Sequence, residues 1–161
     1  MKLNQTIETE QLAEWIDAWY DQLFRYAFFR IGRREDAEDV VQDAFLKIAS
    51  TTTHISNPKA YLFRMVGNGC VDVMRKKDKF SPLEERMPAP LHIEEAEAQE
   101  EAERINRLLS LLPEAQSEVI RLHIHANLKF TEIAELLEQP VTTIKSRFAS
   151  GIEKLRSQII N

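Results

Sequence analysis

The chain has 161 residues and a formal net charge of −5, with 21 Lys and Arg against 26 Asp and Glu; 43% of the residues are hydrophobic, four are Gly and one is Cys. That composition excludes disordered, collagen-like and low-complexity polypeptides and suffices for one ordinary domain or two small ones. The longest aliphatic or aromatic runs, such as Tyr26 to Phe29, fall far short of the ~20 residues a membrane-spanning helix needs, and Met1 to Gln5 carries no apolar signal core. Cys70 stands alone, so neither an intramolecular disulfide nor a cysteine metal cluster is available, and the four His do not supply one. A cytoplasmic chain is therefore expected, with no membrane insertion, no metal and no other cofactor.

In chain order, Leu12, Trp15, Ile16, Trp19, Tyr20, Leu23, Phe24, Ala27, Phe28 and Ile31 recur every three or four residues. They predict a first helix with a core stripe, ended by Gly32. A second helix is predicted from Asp36 as N-cap, with Ala37, Val40, Val41, Ala44, Phe45 and Ile48 inward and Asp39, Gln42, Asp43 and Leu46 opposite. Such an acidic face repels DNA; it is either solvated or suited to a basic protein partner. Thr51 to Ser56 form helices poorly, and Asn57-Pro58 then predicts the N-cap and first residue of a third helix running to about Lys77. At about 100° per residue that helix turns Leu62, Val66, Gly69 and Val73 inward and gathers Arg64, Asn68, Val71 and Arg75 opposite. Arg and Asn in such a row suit phosphates, guanine and adenine edges, or an extruded base. Tyr61 and Phe63 read either as packing or as platforms for unpaired bases, and Asp72 as the i,i+4 partner of Lys76.

Pro82, Pro88 and Pro90 mark Phe80 to Ile93 as a linker between two helical parts, each small enough to have a marginal core. Helices are then predicted from Glu94 to Leu112, with Ile105, Leu108, Leu109 and Leu112 apolar, and from Glu114 to about His125, with Val119, Ile120, Leu122 and Ile124. After the turn Ala126-Asn127-Leu128 come a short helix, Thr131 to Leu137, and a longer basic one from Thr142 or Thr143 to about Ile159, joined across Glu138-Gln139-Pro140. Together they have the form of a helix-turn-helix, with Ala134 small enough for a close crossing. In the last helix Ile144, Phe148, Ile152 and Leu155 are predicted inward, with Thr142, Ser146, Ala149, Ser150 and Glu153 outward and Thr143, Lys145 and Arg147 at the margins. Charge is segregated as well. Glu84 to Glu103 holds eight acids and one base, whereas Arg64 to Lys79 has five bases to two acids and Thr142 to Asn161 has four to one. Two basic helical segments around an acidic middle point to nucleic acid.

In these residues the whole chain resembles the extracytoplasmic-function sigma factors of bacterial RNA polymerase. Arg34 through Phe45, Ala60 through Asn68 and Asp72 to Arg75 are similar to region two. Leu112-Pro113-Glu114, Phe130 through Leu137 and Pro140 through Arg147 are similar to region four. The resemblance implies an all-α chain of two small helical domains joined by a flexible linker. Region two would span 1–79, the linker 80–93 with its acidic run continuing to 103, and region four 94–161. It further implies that Asp36, Glu38, Asp39, Gln42, Asp43 and Leu46 meet the clamp helices of the polymerase's largest subunit. His54, Asn57, Lys59, Tyr61, Arg64, Asn68, Arg75 and Lys76 would contact minus-ten DNA, with an extruded base read by the loop Ser50 to Asn57 and by Asn68. Thr142, Thr143, Lys145, Ser146, Arg147 and Ser150 would contact the minus-thirty-five element, and region four would also touch the polymerase flap. The acidic linker fits a path towards the RNA exit channel, because like charge keeps it off DNA.

The resemblance also implies an anti-sigma partner covering the polymerase-binding faces; the chain ends soon after region four, so no C-terminal sensory domain is expected. The pattern departs at Thr142, where the family often has Gly, at Ala149 and Ser150, where an aromatic or His precedes Arg, and at Ile152, where Arg is common. The recognition helix is thus poor in base-reading side chains. Two other functions compete with promoter-specific initiation: a free-standing helix-turn-helix regulator, which usually dimerises on paired half-sites, and a polymerase-binding decoy. No nucleophile elbow, Gly-rich phosphate loop or other catalytic set argues for an enzyme, and Gly67-Asn68-Gly69 on a helix is a weak substitute.

Overall fold

A computed structural model describes residues 7–79 and 93–160. Among those residues seven α-helices and one π-helical segment follow one another: α1 Thr9–Ile31, α2 Arg34–Ser50, α3 Pro58–Lys79, α4 Ile93–Leu109, α5 Glu114–Ile120, the π segment Arg121–His125, α6 Phe130–Leu137 and α7 Val141–Ile160. Among the described residues there is no strand. Of the expected linker, only Ile93 is described, as the first residue of α4.

Helices α1, α2 and α3 pack on one another. Gly32, at φ +85° with its N–H on the Phe28 carbonyl (2.7 Å), ends α1 in the left-handed turn its sequence predicts. That sharp stop lets α2 begin at Arg34, two residues before the expected cap, so Asp36 sits in the first turn, where its charge meets the positive end of the helix. The six residues predicted inward on α2 are the ones buried. Asn57 caps α3 as expected, its Oδ1 accepting the Ala60 N–H at 3.1 Å. Gly69 faces Val40 so closely that a Cβ would lie 2.8 Å from the valine Cγ1, which is what brings α3 against α2. Gly67 admits the Tyr26 hydroxyl, 3.1 Å from where its Cβ would stand. The two glycines around Asn68 thus serve helix packing.

Several expectations change. Ile16 lies at the surface, while Tyr26, outside the predicted stripe, is buried. On α3 the buried residues are Leu62, Phe63, Val66 and Cys70; Phe63 packs edge-on against Tyr26 and is no platform for a base. Asp72 lies 3.9 Å from Arg75 and makes no pair with Lys76. Helix α4 stops at Leu109, because Leu111 and Leu112 N–H turn back onto Leu108 and Leu109 in a tightened last turn before Pro113. The helix expected through His125 leaves α geometry at Arg121, where the Ala126 N–H reaches back five residues to the Arg121 carbonyl (3.1 Å). The wider turn changes the phase, so that Ile124 is 51% exposed and His125 is buried instead.

The largest departure concerns the core. Two separate cores were expected, yet one cluster of buried side chains runs from Leu23, Phe28, Ile48 and Phe63 on to Ala102, Val119, Leu122, Ile133 and Ile144. A smaller one holds Leu109, Leu112 and Ile120, with Ile152 and Leu155 against it. Helix α1 causes the merger: one side packs on α2 and α3, while another meets α4 and the π segment.

Candidate nucleic-acid and polymerase interface

Building the surfaces upward from these helices gives three faces. On α2, Asp39, Gln42, Asp43 and Leu46 are all exposed, Leu46 at 69%. Asp43 pairs with Lys47 one turn on (3.0 Å). Asp36 and Glu38 are half-buried nearer the N-terminus, beside Arg33 (4.0 Å) and Arg34 (3.7 Å) respectively. An exposed leucine framed by carboxylates and an amide is a surface for a partner that brings both apolar and basic groups.

On α3, Arg64, Asn68, Val71 and Arg75 are exposed along one side, as their spacing predicts, with Lys76 beside them. His54 is exposed in the loop before the helix, and Tyr61 is half-buried. Asn57 and Lys59 are half-buried, and Arg64, though exposed, is engaged as well, because α6 lies against this end of α3. The Asn57 amide donates to Glu135 (2.8 Å), the Lys59 ammonium to Glu132 (2.8 Å) and the Arg64 guanidinium to the Leu136 carbonyl (3.0 Å). Glu132 also accepts the Lys129 N–H (2.9 Å), so one carboxylate caps its own helix and binds another. Partial burial would raise its pKa, but Lys59 and the Lys129 N–H outweigh that and hold the carboxyl below the usual range.

On α7, Thr142, Lys145, Ser146, Ala149 and Ser150 are exposed, while Thr143 and Arg147 are half-buried at the edges. Ile144 is the buried anchor, and Phe148 reaches into an aromatic group with His123 and Phe130. Glu138, at φ +55°, makes the left-handed turn out of α6 that directs the chain into α7.

Sequence reasoning missed the contact between the halves. The Tyr26 hydroxyl donates to Glu118 (2.8 Å), and Arg30 donates to the same carboxylate oxygen (3.2 Å) and to the Tyr26 oxygen (3.1 Å). Arg121 reaches Glu114 (3.0 Å) and stands 3.7 Å from Glu118. Burial and the neighbouring Glu118 charge push the Tyr26 phenol well above its ordinary range. His125 stacks on Phe29, and burial, with Arg121 and Arg25 nearby, lowers its pKa to about 4, so it is neutral at physiological pH. Gln22 donates to the Ala126 carbonyl (2.8 Å) and Asn106 to the Arg30 carbonyl (3.0 Å). The one sequence signal was Glu114, Glu118 and Arg121 at i, i+4 and i+7, a single helical face whose partner the sequence does not name. Among the described residues no three His, Cys, Asp or Glu stand together as a metal site, and no helix is long and apolar enough to cross a membrane.

Known proteins are similar to this chain. The family model of Sigma-70 region 2 matches residues 15–80, and that of Sigma-70 region 4 matches residues 102–155. The RNA polymerase sigma factor SigV of Bacillus subtilis (strain 168) is 25% identical over 162 residues, covering 99% of this chain and 96% of SigV. The ECF RNA polymerase sigma factor SigW of the same organism is 25% identical over 169 residues, covering 94% of this chain and 90% of SigW. Among solved structures, CnrH in complex with the cytosolic domain of CnrY aligns with a TM-score of 0.71 at 22% identity, over 94% of this chain and 89% of that one. RpoE in complex with the anti-sigma factor NepR, from Bartonella quintana, aligns at 0.63 and 22%, over 94% and 98%. At those identities the two structures speak for the fold alone.

Proposed function

The chain belongs to the sigma-70 family, among its extracytoplasmic-function sigma factors, and from that premise we propose that it directs core RNA polymerase to its promoters through the three faces described above. The observation that carries this reading is the opposition of two neighbouring helices: α2 offers carboxylates around an exposed leucine, and α3 offers an Arg/Asn/Arg row. The first suits a basic protein surface and the second suits DNA, so one lobe can hold polymerase and promoter together.

Residues 1–79 act as region two. Asp36, Glu38, Asp39, Gln42, Asp43 and Leu46 dock on the clamp helices, and His54, Asn57, Lys59, Tyr61, Arg64, Asn68, Arg75 and Lys76 read and open the minus-ten element. Residues 80–93 connect, and 94–161 act as region four, with Thr142, Thr143, Lys145, Ser146, Arg147 and Ser150 in the minus-thirty-five groove and a contact to the flap. The family is not one of enzymes, and we read the chain's work as binding, carried out in the cytoplasm with the polymerase. RpoE of Bartonella quintana was solved with an anti-sigma factor, and we extend that class of partner to this chain.

The test is run-off transcription from a randomised promoter library with core polymerase, this protein, or both. Transcripts from the mixture alone, sharing two upstream elements, are expected. Promoter-specific binding by the protein without core would instead make it a free-standing regulator, and stable core binding without transcripts would make it a decoy. On α7, Lys145→Ala and Arg147→Ala are each expected to reduce the salt dependence of promoter binding by about one phosphate contact, a change of roughly 0.9 in the log–log slope. A slope that stays put for either variant removes that side chain from the interface.

A further inference from the structure

We propose that Val71 reads the 5-methyl group of a thymine on the still-paired edge of the minus-ten element. This rests on the assignment of the α3 face to minus-ten DNA. On α3, Leu62, Phe63, Val66 and Cys70 are buried, and Met65 and Val73 pack against the core. Val71 and Met74 do neither and keep 36% and 38% of their exposure. At i and i+3 they are neighbours on the helix surface and form one small apolar patch. Its surroundings are polar: exposed Asn68 lies one turn before Val71, and exposed Arg75 and Lys76 follow Met74 directly.

Cations that draw in phosphates bring this patch against DNA, and the groove edges of a duplex carry one apolar group, the thymine methyl in the major groove. Val71 suits that group by shape. Branched at Cβ, short and held to few rotamers, it can touch a methyl but does not reach between base pairs, as a longer wedge such as Phe or Leu does. The register agrees as well. Val71 stands three residues beyond Asn68, about 4.5 Å along the helix axis, against a rise of about 3.4 Å per base pair. With the extruded base at Asn68, Val71 falls at the next one or two pairs, in the part of the duplex that has not opened. Arg75 stands 3.9 Å from Asp72 on the surface, a contact weak enough to leave its guanidinium for a phosphate beside that pair.

The experiment uses holoenzyme assembled from core polymerase and the full chain, and a fluorescent forked duplex bearing the minus-ten segment recovered by run-off selection. Each thymine in the paired part of the fork is replaced in turn by deoxyuridine, which removes the methyl group and nothing else. One such replacement is expected to weaken binding about fourfold, the worth of one methyl group taken out of water. Val71→Ala is expected to bind the thymine fork about fourfold more weakly, to bind the thymine and uracil forks alike, and to melt with the wild type. A fork with no uracil-sensitive thymine would overturn the proposal, as would a sensitivity that survives Val71→Ala, or a selected segment with no thymine in its paired part. Asn68→Ala scores the underlying assignment separately, and is expected to weaken both forks while keeping their ratio. If it does so and uracil makes no difference to the wild type, the thymine reading alone fails; if it binds as the wild type does, the minus-ten assignment fails.

Discussion

Asp43→Arg/Leu46→Arg is expected to lower core-dependent run-off transcription at least about a hundredfold, with the protein folded as before. Leu46 is 69% exposed and Asp43 makes only a surface pair with Lys47, so neither supports the core that Ala44, Phe45 and Ile48 form on the other side of α2. Substitutions at such positions usually stay within about 0.5 kcal/mol, a shift of about 2 °C or less in melting temperature for a chain this size. At an interface the same change is severe. It withdraws an apolar contact and a carboxylate and puts two like charges against a basic partner, and a loss of about 2.7 kcal/mol in binding is a hundredfold. Pull-down of core polymerase, run-off transcription and a melting curve decide the matter together. Unimpaired capture of core would remove this face of α2 from the polymerase contact.

Glu118→Gln is expected to cost about 3 kcal/mol, read as a melting transition about 6–12 °C lower. Glu118 is the carboxylate between two nearly buried cations: the Arg30 and Arg121 side chains keep only 10% and 9% of their exposure. Without that charge the two guanidiniums share Glu114 alone, which is itself largely solvent-exposed. Removing one partner from a buried ionic group leaves uncompensated charge, and that is where penalties of this size arise. Tyr26→Phe makes a useful contrast, because it deletes one hydroxyl donor to a charged group and leaves both salt bridges, for an expected loss of about 1.5 kcal/mol. If the two variants melt alike, the charge at Glu118 is not what holds the halves together.

Local signals carried the sequence reading well. The inward set on α2, the Asn57 cap, the Gly32 stop and the outward rows of α3 and α7 all follow from helical periodicity and capping, which depend on residues within a turn or two of each other. Most of what failed was non-local. Tyr26 was overlooked because its partners, Phe63 and Glu118, lie in distant parts of the chain, and Asn57, Lys59 and Arg64 looked free because nothing in their neighbourhood announces Glu132, Glu135 and Leu136 more than 70 residues away. Ile124 and His125 exchanged places for a different reason, since a single wide turn resets the phase of the apolar pattern. Periodicity assumes 3.6 residues throughout and cannot foresee such a turn.

Cys70 gives the molecule a probe of its own. Its thiol is buried, and burial pushes its pKa up to about 12, with charges from both halves, Arg30 on one side and Glu118 and Arg121 on the other, acting on it. Since only the thiolate attacks, a maleimide or disulfide reagent at neutral pH meets a group roughly a thousandfold less ionised than an ordinary cysteine. The native sequence therefore serves as its own cysteine-free background for dyes or spin labels placed elsewhere. Whatever modification Cys70 does undergo is a clock, ticking at the rate at which the core around α3 lets reagent in.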